Sequence, residues 1–270
     1  MLLPANRACQ SPGRESEWAV TIGQNPARHA AFVTGSGRNI GRAIALDLAR
    51  RGMNVVVQGR NRGAAEETAA AVREAGGEAL VVLGDLGAPK DVAAMAEQAL
   101  ARFGAIDILV NNAAIRPESA LEKLSLEDWH RVFDVNLHSA FALTKAFVPG
   151  MKQRGFGRIV YFTGMNAMHG YAQRPHVSAS KHALWGLTKA LAKELGPSGI
   201  TVNAISPGPI ATEHPENPAM AKHIASLVGR VPLGRLGTSE EVAALCGFLC
   251  SAEAAYVSGQ MIAANGAAQT

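Results

Sequence analysis

Cysteine is scarce in this 270-residue chain: Cys9, Cys246 and Cys250 are too few to build a disulfide framework. The last two lie four residues apart in a helical pattern, which reads as small buried thiols in a reducing, cytoplasmic setting. No apolar run approaches the roughly 20 residues that a membrane-spanning helix requires, so no membrane partner is expected. The eight histidines fall at spacings that suit no metal motif, and no metal is expected either. Aromatic residues make up only 5%, and the 26 basic and 22 acidic residues are scattered without a Lys/Arg block. The net charge of +4 therefore offers no footprint for nucleic acid.

What the chain does have is apolar residues, 48% of the total, enough for a sizeable core at this length. Residues 1–29 hold Pro, Gly, Arg and Ser without the apolar centre of a signal peptide, which predicts a flexible extension. Glu15 and Glu17 speak against a transit peptide there. From 30 to 270, short apolar runs alternate with amphipathic stretches. The runs are AFVTG (31–35), NVVVQG (54–59), ALVVLGD (79–85), IDILVNN (106–112), RIVYFTG (158–164), ITVNAISPG (200–208) and QMIAANG (260–266). Between the first two, Ile40, Ile44 and Leu48 recur at helical spacing before Gly52 ends the helix. Val/Ile/Leu-rich strands separated by helices predict an α/β fold: one doubly wound Rossmann domain with a seven-stranded parallel sheet covered on both faces.

The sharpest motif is TGSGRNIG (34–41), placed between the first strand and the first helix. Gly35 and Gly37 allow a tight turn with backbone close to a ligand, and Gly41 allows the helix to pack near the strand. The N–H groups at the start of that helix then face a pyrophosphate. Taken with NNAA (111–114), Asn136 in DVNLHSAF, Lys181, PGPIAT (207–212) and the tail VPLGRLGTSEEVAALCGFLCSAEAAYVSGQ, the chain resembles the short-chain dehydrogenase/reductase family from about residue 30 onward. One departure is Asn39, where the family has its middle glycine; asparagine also tolerates left-handed backbone angles.

The resemblance implies a nicotinamide dinucleotide held by Gly35, Gly37, Arg38, Asn39, Ile40 and Gly41. It also implies Asp85 and Leu86 near the adenine, Asn111, Asn112 and Ala113 along the ribose, and Pro207, Gly208, Ile210 and Thr212 beside the nicotinamide. The second strand ends in QGRNR, with no carboxylate to receive a ribose 2′-hydroxyl. Arg38 and Arg60 suit a 2′-phosphate instead, so the expected cofactor is NADP(H).

Hydride transfer to a carbonyl needs an accompanying proton. In the family a tyrosine delivers it, with a lysine lowering its pKa, a serine on the same oxygen and an asparagine supporting a water chain. Asn136 matches the asparagine, and Lys181 the lysine, which in the family also grips the nicotinamide ribose. The serine and tyrosine positions fall on Gly164 and Val177, neither of which carries a proton on its side chain. Tyr171 and His176 are the candidate stand-ins, with Asn166 and His169 in the same loop, and Lys181 can also deliver a proton through water. The leading expectation is an NADP(H)-dependent oxidoreductase with a non-standard centre, acting on a small molecule. The alternatives are an inactive cofactor-binding sensor or partner subunit, and an enoyl- or dienoyl-type reductase of carbon–carbon double bonds. Residues 213–229 sit where the family carries its substrate lid, with Glu213 and His214 as lid or surface residues. Trp129, Phe141, Phe147 and Trp185 read as core or subunit interface, and the resemblance implies a homo-oligomer, a tetramer by preference.

Overall fold

The computed structural model describes residues 28–213, 222 and 225–269. Cys9, nearly all of the expected extension, and His214 with most of the expected lid lie outside the described residues. Seven strands, β1 Ala30–Val33, β2 Asn54–Gly59, β3 Ala79–Leu83, β4 Ile108–Asn111, β5 Gly157–Phe162, β6 Ile200–Pro207 and β7 Met261–Ala264, form one sheet in the order β3-β2-β1-β4-β5-β6-β7. Every pairing is parallel. This is the doubly wound sheet that the apolar runs predict. Most runs extend past their strand at the carboxyl end: Thr34, Gly35, Gly84, Asp85, Asn112, Thr163 and Gly164 leave the ladder and open the loops of the site.

The helices are α1 Asn39–Arg50, α2 Arg62–Glu74, α3 Pro89–Phe103, α4 Leu126–Phe133, α5 Ser139–Arg154, α6 Asn166–His169, α7 Pro175–Leu195 and α8 Ser239–Leu249. A widened π turn, Asp134–His138, joins α4 to α5 and carries Asn136. Local chemistry sets several starts. The Asn61 side chain accepts from the Ala64 N–H at the head of α2, and Thr238 with Glu241 forms a capping box on α8. Pro175 opens α7, where its missing N–H is no loss.

Two apolar layers sandwich the sheet. Ile44 and Leu48 of α1, Val72 of α2 and Cys246 of α8 pack on one face; Met95 of α3, Leu143 and Phe147 of α5 and Leu184 of α7 pack on the other. Cys246 and Cys250 are both buried, and their mutual contact, ahead of burial, holds the Cys246 thiol well above its usual range. Phe147 is core, but Phe141, read with it as apolar helix face, is half exposed on α5 because it lies on the outer side of that helix. The sheet's amino-terminal side is locked by Asp107, which accepts from Arg154 at 2.9 and 3.0 Å and from the Ala30 N–H at 3.0 Å. Strand order reverses between β1 and β4, so the crevice lies at their carboxyl ends.

Candidate active site at the carboxyl ends of the strands

The glycine loop is built from β1 outward. Gly35 turns at φ +63°, and a Cβ on Gly41 would stand 2.2 Å from the Gly35 carbonyl oxygen, so α1 reaches this close only because residue 41 has no side chain. Asn39 takes the left-handed angle, φ 49°, that the missing glycine would have supplied. α1 begins without a side-chain cap or an acidic residue in its first turn, leaving its leading N–H groups for an anion. The Gly35 N–H is not among them, because it donates to Gln58 Oε1 at 2.9 Å. Gln58, whose importance the sequence does not reveal, also donates to the Gly84 carbonyl at 3.0 Å and so fixes the loop against two strand ends.

Asn112 and Ala113 serve the same loop. Asn112 Nδ2 donates to the carbonyls of Thr34 and Gly35 at 3.0 and 3.3 Å, and the Ala113 N–H donates to Thr34 Oγ1 at 3.0 Å. Beside them the buried Asn111 Nδ2 has no protein partner among the described residues, a donor that a ribose can use. Arg38 and Arg60 are both exposed, flanking the loop and the end of β2. Asp85 accepts from Arg131 at 2.7 and 3.0 Å and from the Gly87 N–H at 2.8 Å; Arg131 above all holds its carboxyl below the usual range. The neighbouring Leu86 is buried. These features fit a dinucleotide: open helix N–H groups, a glycine cradle and basic residues where a 2′-phosphate would lie.

Beyond β6, Gly208 donates its N–H to Ala264 O at 3.0 Å, Ile210 bridges to Gly237, and Thr212 Oγ1 donates to the Ile210 carbonyl at 3.4 Å. Asn39 then holds Glu213 by both backbone groups, accepting from its N–H at 2.9 Å and donating to its carbonyl at 3.0 Å. A cavity of about 280 Å³ opens behind Pro209 and Ile210, towards Leu233 and Asn265, but none of Asn136, Val177 or Lys181 lines it.

At the reaction end, Asn136 is buried. Its Oδ1 accepts from the Ile115 N–H at 2.9 Å, and its Nδ2 donates to the Ile115 carbonyl at 3.0 Å and to Ser180 Oγ at 3.2 Å. Val177 and Lys181 stand one turn apart on α7, at 0% and 3% exposure. Lys181 Nζ donates to the Phe162 carbonyl at 2.5 Å. Burial first, and the like charge of Arg116 second, lower its pKa to about 7. Gly164 sits at φ +66°, a backbone angle that strains a serine.

The chain between β5 and α7 folds back on the start of α7. Ser178 Oγ donates to Asn166 Oδ1 at 3.3 Å and accepts from the Tyr171 N–H at 3.2 Å, so one hydroxyl staples both ends of the α6 turn. Tyr171 is half-buried and His169 exposed. His176, named as a stand-in acid, is fully buried. Neither ring nitrogen finds a hydrogen-bond partner among the described residues, and burial pushes its pKa down. A second proton on that ring would create an unsolvated charge, so His176 is seldom the imidazolium that a proton donor must be. Arg116, which no motif marks, is the charged neighbour of Lys181 that the sequence reading missed.

The profile of the family described as Enoyl-(Acyl carrier protein) reductase matches residues 35–267. The 3-oxoacyl-(acyl-carrier-protein) reductase FabG of Pseudomonas aeruginosa is 39% identical over 236 residues, 87% of this chain and 95% of its own. The chain belongs to the short-chain dehydrogenase/reductase family. Among other members, a cyclohexanol dehydrogenase of Acinetobacter sp. is 38% identical over 239 residues, 88% of this chain and 93% of its own. Among solved structures of this family, a putative NAD(P)-dependent gluconate 5-dehydrogenase from Beutenbergia cavernae with bound NADP superposes with a TM-score of 0.82 at 38% identity, covering 89% of this chain and 96% of that one. The L-sorbose reductase of Gluconobacter frateurii, complexed with NADPH and L-sorbose, gives 0.84 at 30% identity, covering 89% and 96%. Short-chain dehydrogenase/reductase membership makes the chain an oxidoreductase by type. No helix among the described residues is long and apolar enough to cross a membrane.

Proposed function

We propose that the protein is an NADP(H)-dependent oxidoreductase of a small molecule in which Lys181, rather than a tyrosine, holds the proton that accompanies the hydride. The observation that carries this reading is the pair on one face of α7: Val177, without a polar atom in its side chain, and Lys181, buried with a pKa near 7. NADPH, when bound, supplies the hydride that forms the new C–H bond. The pair of electrons displaced onto oxygen then needs a proton, and Lys181 can release one at neutral pH. Asn136 keeps the floor of the site rigid by joining Ile115 to Ser180.

NADP(H) is supported by Arg60 just past the end of β2, where an NAD site places a carboxylate, and by Arg38 in the glycine loop. The NADP and NADPH held by two of the solved relatives point the same way. By the family's spacing, Gly164 and Val177 take the places of the serine and tyrosine. Loss of a general acid lowers rates by about 10²- to 10⁴-fold, and loss of a donor to the oxyanion by about 10²- to 10³-fold. Reduction of simple ketones is therefore expected to be slow.

The complete burial of Val177 favours a second reading, a cofactor-binding protein without turnover that serves as sensor or partner subunit. Fluorescence titration with NADPH and NADH, followed by NADPH oxidation against ketones, aldehydes and enones, separates the two. Binding with turnover supports the oxidoreductase; binding without turnover of any compound supports the sensor; turnover of enones alone moves the reaction to carbon–carbon double bonds. Tighter binding of NADH than NADPH overturns the cofactor assignment. A homo-oligomer, tetramer preferred, is part of the proposal, with the half-exposed Phe141 on α5 available for contact; light scattering in solution tests it.

A further inference from the structure

Arg116 has no task in the reading above, yet its backbone is held by the site itself. It follows Ile115, both of whose backbone groups pair with Asn136, at 2.9 and 3.0 Å. The Ser119 N–H donates to the Gln173 carbonyl at 2.8 Å, and Glu118 pairs with Arg174, so residues 115–119 and the loop before α7 form one rim. Glu118 is the single acidic residue on that rim, and Arg174 already engages it.

The Arg116 side chain has no hydrogen bond or ion pair among the described residues, and its outer face meets solvent. Protein on its flanks, ahead of the like charge of Arg174, lowers its pKa, and its own charge reaches Lys181 in turn. The Arg116 charge thus lies within electrostatic reach of both Arg174 and Lys181, and Glu118, already paired with Arg174, is the one carboxylate on the rim. Such a field draws in anions and leaves a neutral substrate no counterpart for the guanidinium.

We propose that Arg116 anchors the carboxylate of a small oxo-acid substrate, with the oxo group carried towards Lys181. The inference rests on the reading of this end as a hydride-transfer centre. A guanidinium presents parallel N–H donors that match a carboxylate in two-point contact, and the restrained backbone of residue 116 limits the freedom lost on binding. A phosphate monoester offers similar anionic oxygens, and the experiment distinguishes the two.

Calorimetric titrations of the NADP⁺-saturated protein, in which no hydride is available to reduce the oxo group, would use 4-oxopentanoate and 2-oxobutanoate, the amide of each, and inorganic phosphate. The wild type is expected to bind one or both oxo-acids at least about tenfold more tightly than the matching amide. Arg116→Gln is expected to abolish that preference while NADP⁺ binds as before, and Arg116→Lys to keep part of it. A wild type that does not prefer the acids, or an Arg116→Gln variant that still does, overturns the assignment. Phosphate binding more tightly than both acids, and losing affinity in Arg116→Gln, overturns the carboxylate in favour of a phosphorylated substrate. Failure at the earlier step, no NADP⁺ binding at all, sinks the underlying functional reading instead.

Discussion

Replacing Lys181 by methionine tests directly whether its ammonium is held against the preference of its surroundings. The side chain is 3% exposed, its one hydrogen bond among the described residues goes to the Phe162 carbonyl, and its charged neighbour Arg116 repels it. Its pKa falls from 10.5 to about 7 on folding. Between those values the unfolded chain binds the proton and the folded chain does not, so stability rises with pH across that window. Well below pH 7 the buried charge destabilises the fold by roughly 5 kcal/mol, and by pH 9 roughly 2 kcal/mol of that is left. Methionine has similar length and no charge. It leaves the Phe162 carbonyl without its donor, which lowers the variant by about 1 kcal/mol at every pH and does not alter the trend. Urea unfolding of both proteins without cofactor, at one protein concentration, gives the comparison. The advantage of Lys181→Met is expected to shrink by about 3 kcal/mol from pH 6 to pH 9. An advantage that stays constant across that range means that Lys181 titrates as an ordinary lysine, and the proposed proton holder is then wrong.

Arg60→Glu is expected to reverse cofactor choice, reducing the preference for NADPH over NADH by about tenfold or more in a fluorescence titration; an unchanged ratio removes Arg60 from the phosphate site. Asn136→Ala leaves both backbone groups of Ile115 without their partner and removes one donor from the Ser180 hydroxyl, a loss of about 1–3 kcal/mol that appears as a lower melting temperature. Asp107→Ala strips the partner from the solvent-exposed Arg154 and the acceptor from the buried Ala30 N–H, and a loss of about 1–3 kcal/mol is expected in denaturant. Because Asp107 lies at the opposite end of the sheet, NADPH affinity at saturating stability should not change.

The fold was readable because it follows from periodic apolar patterning. NVVVQG coincides with β2 residue for residue, and the other runs overshoot mostly at the carboxyl end, where chain leaves the sheet to build the site. The glycine loop was readable because its backbone demands are local, down to the left-handed Asn39. Contacts between distant segments were not readable. Gln58 reaches Gly35 and Gly84, Ser178 staples the α6 turn, and Arg116 comes near Lys181, all through the packing of separate strands and helices. The sequence likewise shows a glycine at 164 but not its positive φ, and a histidine at 176 but not the enclosure that removes its ring from water.

That φ matters for the most direct test of the central claim. NADPH oxidation would be followed for the wild type, for Val177→Tyr, and for Val177→Tyr combined with Gly164→Ser, all on the same set of carbonyl compounds. Serine at φ +66° carries about 1–3 kcal/mol of strain, so cofactor binding serves as the check that each variant is folded. A tyrosine one turn before Lys181 is expected to raise carbonyl reduction by about 10²-fold or more over the wild type, most of all with the serine present. A wild type that already reduces these carbonyls as fast as the double variant contradicts the account.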